Sequence, residues 1–193
     1  MTKIYFVRHA QPVHSWQDDR TRPLTDAGSS DSKKVTALLK TIEVDCFYSS
    51  PYKRSVDTIY ESSVLHGLDI AVDERLRECA YGASIGSDFY GIIQHRWSDF
   101  DYCEDGGESL GVVQKRNIEA ILEMLESHNG QSIVVGTHGT ALSTILNYFN
   151  PLFGSTDYFR IANFTPYVIR LDFSANECVG QEEILIVEKV FEG

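Results

Sequence analysis

The chain predicts an α/β fold: a three-layer α/β/α sandwich with a mostly parallel central sheet and an antiparallel edge. Short apolar, β-prone runs at 3–8, 45–49, 70–72 and 132–137 alternate with segments of helical period. That order builds a parallel sheet covered by helices. Two further β-prone runs, at 166–173 and 184–190, close the sequence and supply the antiparallel edge. With 193 residues, 42% of them hydrophobic, and no Pro/Gly/Ser-rich linker, the chain reads as one domain over 1–193 with a sizeable core.

Residues 3–8 form a short apolar run that reads as a buried strand. The polar, Pro-containing stretch 11–24 reads as loop. Thr25 or Asp26 caps a helix reaching to about residue 42, with Val35, Leu38, Leu39 and Ile42 on its apolar face. The second strand, 45–49, runs through Cys46, Phe47 and Tyr48. Ser50 and Pro51 open the next helix, serine at the cap and proline at the first position. A short third strand covers 70–72.

From about 81 to 107 the pattern is less regular and rich in aromatics: Phe89, Tyr90, Trp97, Phe100 and Tyr102. This stretch reads as an irregular helix with loops, a short cap-like insertion. Gly107, Glu108 and Ser109 precede an amphipathic helix to about residue 128, which Asn129 and Gly130 end. Residues 132–137, centred on Ile133, Val134 and Val135, form a buried strand. A helix from about 140 to 148 stops before Pro151.

Acidic residues outnumber basic ones 28 to 17, a formal net charge of -11 with neutral histidines. Such a surface repels nucleic acid and anionic membranes, so neither is an expected partner. An anionic ligand needs a local basic pocket within that exterior. The cysteines (Cys46, Cys79, Cys103, Cys178) lie far apart, without C-x-x-C or zinc-like spacing, and read as isolated thiols of a reducing compartment. The N-terminus enters a strand-like run at once, lacking the apolar core and cleavage site of a signal peptide. No apolar stretch approaches the roughly 20 residues that span a bilayer. These features point to the cytoplasm.

Chemistry-bearing residues gather at predicted strand ends. Arg8 and His9 lie just past the first strand, where ligands bind in open parallel sheets. A charged arginine there calls for an anionic partner, because burying it alone is costly. Lys53 and Arg54 stand in the first turn of a helix, where cations oppose the macrodipole. Either both side chains point to solvent, or Arg54 and the helix end share one phosphate. His138 follows another apolar strand and is flanked by Gly136 and Gly139, which permit close backbone approach. Glu78 has no special standing by local rules. Together, two arginines, two histidines and a carboxyl can bind phosphoryl oxygens, attack phosphorus and protonate a leaving oxygen, with no metal cage and no cofactor required.

The ordered motifs resemble the histidine phosphatase superfamily, which includes phosphoglycerate mutases and many small phosphatases. The family's Arg-His-Gly reads here as Arg8, His9, Ala10, and its Pro-Leu-Thr-x-x-Gly as Pro23, Leu24, Thr25 and Gly28. Ser-Ser-Pro-x-x-Arg with a following threonine is Ser49, Ser50, Pro51, Arg54 and Thr58. Leu-x-Glu-x-x-x-Gly is Leu76, Glu78 and Gly82. Gly-Glu-Ser is Gly107, Glu108, Ser109, and the second histidine motif is Thr137, His138, Gly139.

The resemblance implies that His9 is the nucleophile, that Arg8, Arg54 and His138 surround the phosphoryl group, and that Glu78 is acid and then base. It implies hydrolysis of a small phosphorylated substrate through a phosphohistidine. Mutase-type transfer, or phospholigand binding without turnover, are the alternatives. Gln11, Ser15, Tyr81 and Gly139 are further candidates for substrate contact. Three positions depart from the family pattern: Ala10 replaces a glycine, Pro12 removes a hydroxyl, and Ser15 replaces a phosphate-binding asparagine.

Overall fold

A computed structural model describes residues 1–82 and 88–189. Six strands form one sheet: β1 (Thr2–Arg8), β2 (Cys46–Ser49), β3 (Ile70–Val72), β4 (Ser132–Thr137), β5 (Phe164–Ser174) and β6 (Glu177–Glu188). Their order is β3-β2-β4-β1-β5-β6. The pairs β3–β2, β2–β4 and β4–β1 are parallel, while β1–β5 and β5–β6 are antiparallel. The described α-helices are α1 (Asp26–Leu39), α2 (Lys53–His66), α3 (Phe89–Ser98), α4 (Leu110–Ser127), α5 (Gly139–Phe149) and α6 (Ser155–Ala162).

The three layers follow from strand alternation. In β1, Ile4 and Phe6 pack into one core with Ile121 of α4 and Leu142 and Ile145 of α5. Tyr5 and Val7 point the other way, into a second core with Val35 and Leu39 of α1 and Ile59 of α2. Strand β4 divides likewise, with Ile133 and Val135 on the first face and Val134 on the second. Each such side chain stabilises by about 1.5–3 kcal/mol on burial. The two adjacent strands therefore form a stiff platform, and their ends carry the site.

Several boundaries differ from the sequence expectation. Helix α1 is capped by the Thr25 hydroxyl, which accepts from Gly28 N at 2.9 Å, and it ends at Leu39 rather than residue 42. Beyond it, Thr41 and Ile42 donate to carbonyls three residues back, the tighter closing turn common at helix ends. Helix α2 begins at Lys53 with Tyr52 at its cap position, so Ser50 is not its cap. The Ser50 hydroxyl is engaged elsewhere, 2.7 Å from His138 Nε2, and accepts the Tyr52 N–H at 3.2 Å.

Strand β6 begins at Glu177, seven residues before the expected start. Its early residues are polar and mostly exposed, as suits an outer strand, and so hide from a hydrophobicity reading. Val190, the expected end of that strand, lies outside the described residues. Helix α6 has no counterpart in the expectation. It is only eight residues long and begins where Asp157 accepts the Gly154 N–H at 3.0 Å. The described part of the 81–107 stretch contains α3. No helix among the described residues is long and apolar enough to cross a membrane.

Candidate active site

Register brings the two histidines together. Strands β1 and β4 are adjacent and parallel, with Arg8 opposite Thr137, so His9 and His138 leave the sheet side by side. The His9 N–H donates to Thr137 O at 3.1 Å, and the two rings meet edge to face with centroids 5.2 Å apart. Strand β2 ends level with them, pairing Ser49 with Gly136, and this delivers Ser50 and Arg54 to the same edge.

The protonation pattern of His9 can be read from its neighbours. Its Nδ1 lies 2.8 Å from the carbonyl oxygen of Ala10, which only accepts, so Nδ1 carries the proton. Its Nε2 lies 3.2 Å from Nε of Arg54, which only donates, so Nε2 presents its lone pair. Burial, and then the charges of Arg54 and Arg8, hold His9 well below the ordinary imidazole value. His9 Nε2 is thus unprotonated and oriented.

Each cation is fixed by a different device. Arg8 Nη1 donates to the carbonyls of Ile161 (2.6 Å), Ala162 (2.8 Å) and Phe164 (3.1 Å), at the C-terminal end of α6 where a cation is favoured. Arg8 Nε is buried with no protein partner among the described residues. A Cβ at Gly139 would stand 3.2 Å from Arg8 Nη2, so the glycine leaves room for the guanidinium.

The two readings of the α2 start divide between its two cations. Lys53 faces outward and pairs with Asp57 at 2.7 Å, whereas Arg54 is buried in the site. Arg54 Nη1 donates to Asp19 O at 2.6 Å and lies 3.1 Å from Asp19 Oδ1, and the guanidinium covers the Tyr52 ring. Thr58 ties this helix to β1: its hydroxyl accepts from Ala10 N at 3.0 Å and donates to Arg54 O at 2.7 Å.

His138 is fully buried, and burial followed by Arg54, His9 and Arg8 holds it well below its ordinary value. Its Nδ1 has no protein partner among the described residues. Glu78 approaches from the opposite wall. Its carboxylate caps α5, accepting from Thr140 N (3.1 Å), Ala141 N (3.0 Å) and its own neighbour Cys79 N (2.8 Å). Behind it, Arg116 donates to Glu78 O at 3.1 Å and pairs with Glu108, which also binds Arg77 and accepts from Ala80 N. Cys79 is buried in this wall. Burial, with Glu78 beside it, pushes its thiol up to about 12.

A cavity of about 660 Å³ opens over these groups and takes in Arg8, His9, Arg54, Glu78, Tyr81 and Gly139. His138 lies outside the lining, packed edge-on to His9. Two expected contacts fall outside it as well. Gln11 is turned to Thr25, whose hydroxyl donates to its side-chain oxygen at 3.1 Å, and Ser15 is solvent-exposed on the loop. Phe89 of the aromatic 81–107 stretch lines the cavity too, as do His14, Asp19, Arg22, Tyr52 and Tyr158, which sequence reasoning did not single out as contacts. Of these, Arg22 stands directly before the Pro-Leu-Thr motif, a position that could have flagged it. Of the aromatics in the 81–107 stretch, Tyr81 and Phe89 line the cavity, whereas Trp97 and Tyr102 do not. Trp97 packs against Phe100, Phe153 and Tyr158, and Tyr102 stacks on His95. Among the described residues, no group of three or more His, Cys, Asp and Glu side chains is placed to hold a metal ion.

Comparisons with known proteins bear on the family and the fold. The sequence profile of the histidine phosphatase superfamily (branch 1) matches residues 4–182. Phosphoserine phosphatase 1 of Hydrogenobacter thermophilus is 28% identical over 150 residues, 72% of this chain and 71% of that protein. A 2,3-bisphosphoglycerate-dependent phosphoglycerate mutase of Thermoplasma acidophilum is 31% identical over 130 residues, 65% of this chain and 62% of its own length. Among solved structures, a mycobacterial glucosyl-3-phosphoglycerate phosphatase superposes with a TM-score of 0.75 at 18% identity, covering 97% of this chain and 99% of the other. That structural likeness bears on the fold.

Proposed function

The chain belongs to the histidine phosphatase superfamily, and on that premise we propose that it hydrolyses phosphomonoesters, without a metal, through a phosphohistidine on His9. The observation that carries this reading is the state of the His9 ring, with Nδ1–H spent on Ala10 O and the Nε2 lone pair facing Arg54 Nε.

In the first step the Nε2 lone pair attacks phosphorus in line. The ester P–O bond breaks, its electron pair stays on the leaving oxygen, and Glu78 supplies the proton that oxygen needs. In the second step Glu78 takes a proton from water, the water oxygen bonds to phosphorus, and the N–P bond returns its electrons to Nε2. Arg8 through Nε and Nη2, together with Arg54, offsets charge on the equatorial oxygens. His138 serves the same group through Nδ1, with Nε2 held 2.7 Å from the Ser50 hydroxyl.

The substrate is a small phosphorylated molecule, as for the relatives named for phosphoserine and glucosyl-3-phosphoglycerate. The whole chain acts as one histidine-phosphatase-like domain, in keeping with a sheet whose strands run from Thr2 to Glu188. We place its work in the cytoplasm, in keeping with four free cysteines. Phosphate release from an aryl phosphate in the presence of EDTA tests the activity. Turnover that survives chelation and disappears in His9→Ala is expected. Turnover that persists in His9→Ala contradicts the assignment, and transfer of the phosphoryl group to a second hydroxyl in place of water marks a mutase.

A further inference from the structure

Arg96 lies on α3, and its side chain is fully shielded from solvent. Its Nε donates to both carboxylate oxygens of Glu104, at 3.2 and 3.1 Å, and Nη2 joins the same carboxylate. Its Nη1 donates to Glu108 O at 3.1 Å and contacts Cys79 Sγ at 3.2 Å. The guanidinium carbon stands 4.7 Å from the centroid of the Tyr81 ring. Glu104 is itself buried.

An ion pair this deep contributes little net stability, because desolvating both charges consumes most of what their attraction returns. Apolar pairs of similar volume often fold as well or better. Its contribution lies in what it holds. Cys79 adjoins Glu78, and the Tyr81 hydroxyl lies 2.7 Å from Thr140 Oγ1 at the start of α5, the same helix end that receives the Glu78 carboxylate. Ala80, between them, exchanges hydrogen bonds with Glu108: its N–H reaches the carboxylate at 3.0 Å, and its carbonyl accepts Glu108 N at 2.8 Å. The segment carrying the acid is therefore gripped on one side by α5 and on the other by Arg96.

We propose that Arg96, paired with Glu104, is a positioning residue for proton transfer: it sets Glu78 and Tyr81 on the leaving-group side of the cavity. This rests on the phosphohistidine reading and on Glu78 as the proton donor. It makes α3 a buttress of the acid rather than a lid.

The test is kcat/KM, which reports the steps through departure of the leaving group, across phosphomonoesters from p-nitrophenyl to simple alkyl. A nitrophenolate leaves without a proton, whereas an alkoxide does not. Glu78→Gln is expected to lose on the order of 100-fold or more on alkyl esters and much less on the aryl ester. The double variant Arg96→Met/Glu104→Leu keeps the ion pair's volume without its charges. It is expected to remain folded and to lose about 10-fold on alkyl esters against at most about threefold on the aryl ester. Equal losses on both ester classes, or no loss on either, overturn the proposal. If the double variant fails to fold, Arg96→Lys is read by the same ratio, since it keeps a charge for Glu104 without the fork that reaches Cys79 and Glu108. A leaving-group dependence unchanged in Glu78→Gln overturns the proton-donor assignment itself, and the Arg96 proposal with it.

Discussion

The Nε–H of Arg54 donates to Nε2 of His9 across 3.2 Å, joining the first turn of α2 to the end of β1. One contact does two jobs. It aims the Nε2 lone pair, and its positive charge opposes protonation of the same ring.

The acid limb of the pH–rate profile should follow from this. Burial, Arg54 and Arg8 depress His9, so the nucleophile stays neutral well below its ordinary value of 6.5 and activity should persist as pH falls through that point. Arg54→Met removes one depressing charge, so the His9 pKa rises and the acid limb moves to higher pH. The rate should also fall by about 100-fold or more through lost charge stabilisation. Profiles of kcat/KM with one aryl phosphate for both proteins check it. An acid limb that stays in place in the variant contradicts the coupling.

Stability should carry the same sign. His9 and His138 are both depressed in the fold, so the unfolded chain takes up protons first. Their contribution is complete above about pH 6.5 and declines as pH falls below it, by up to about 1.4 kcal/mol per pH unit for each histidine. Urea unfolding at several pH values should show a shallower decline in His138→Gln than in wild type. Identical slopes would mean that His138 is not buried neutral.

Asp19 should compete with the substrate. Its carboxylate pairs with Arg22 and Arg54, both at 3.1 Å. The Asp19 carboxylate is itself open to solvent, and pairs with such a partner are worth up to about 1 kcal/mol. Asp19→Ala should therefore tighten inhibition by inorganic phosphate by roughly two- to fivefold with little change in melting temperature. Weaker inhibition would make Asp19 a support for Arg54 rather than a rival.

Gly139→Ala should weaken substrate binding more than it weakens the fold. The added methyl would stand 3.2 Å from Arg8 Nη2, and that guanidinium is tethered to three carbonyls and has little room to yield. A rise in KM of about 10-fold, with unfolding free energy within about 1 kcal/mol of wild type, is expected. Unchanged kinetics would show that Arg8 shifts freely.

Much of the site was legible in the sequence because strand ends are. The apolar runs of β1 and β4 end at Arg8 and Thr137, and parallel neighbours bring such ends to one edge. Ser50 misled because serine followed by proline fits a helix start, whereas its partner His138 is 88 residues away. Gln11 and Ser15 lie on a loop with no periodic signal, and the Thr25 hydroxyl claims Gln11. The anchoring of Arg8 was invisible for another reason. Helix α6 acts there through backbone carbonyls, which every residue possesses and no sequence pattern marks.

The most direct measurement is to quench Glu78→Gln in base during turnover of a labelled aryl phosphate and locate the label. An aryl group leaves without the acid, whereas attack by water lacks its base, so phosphoenzyme should accumulate. The predicted result is one acid-labile, base-stable phosphoryl group on the peptide containing His9, and none in a protein that also carries His9→Ala. Label on any other side chain, or phosphate release from Glu78→Gln with no labelled enzyme, would contradict a phosphohistidine at His9.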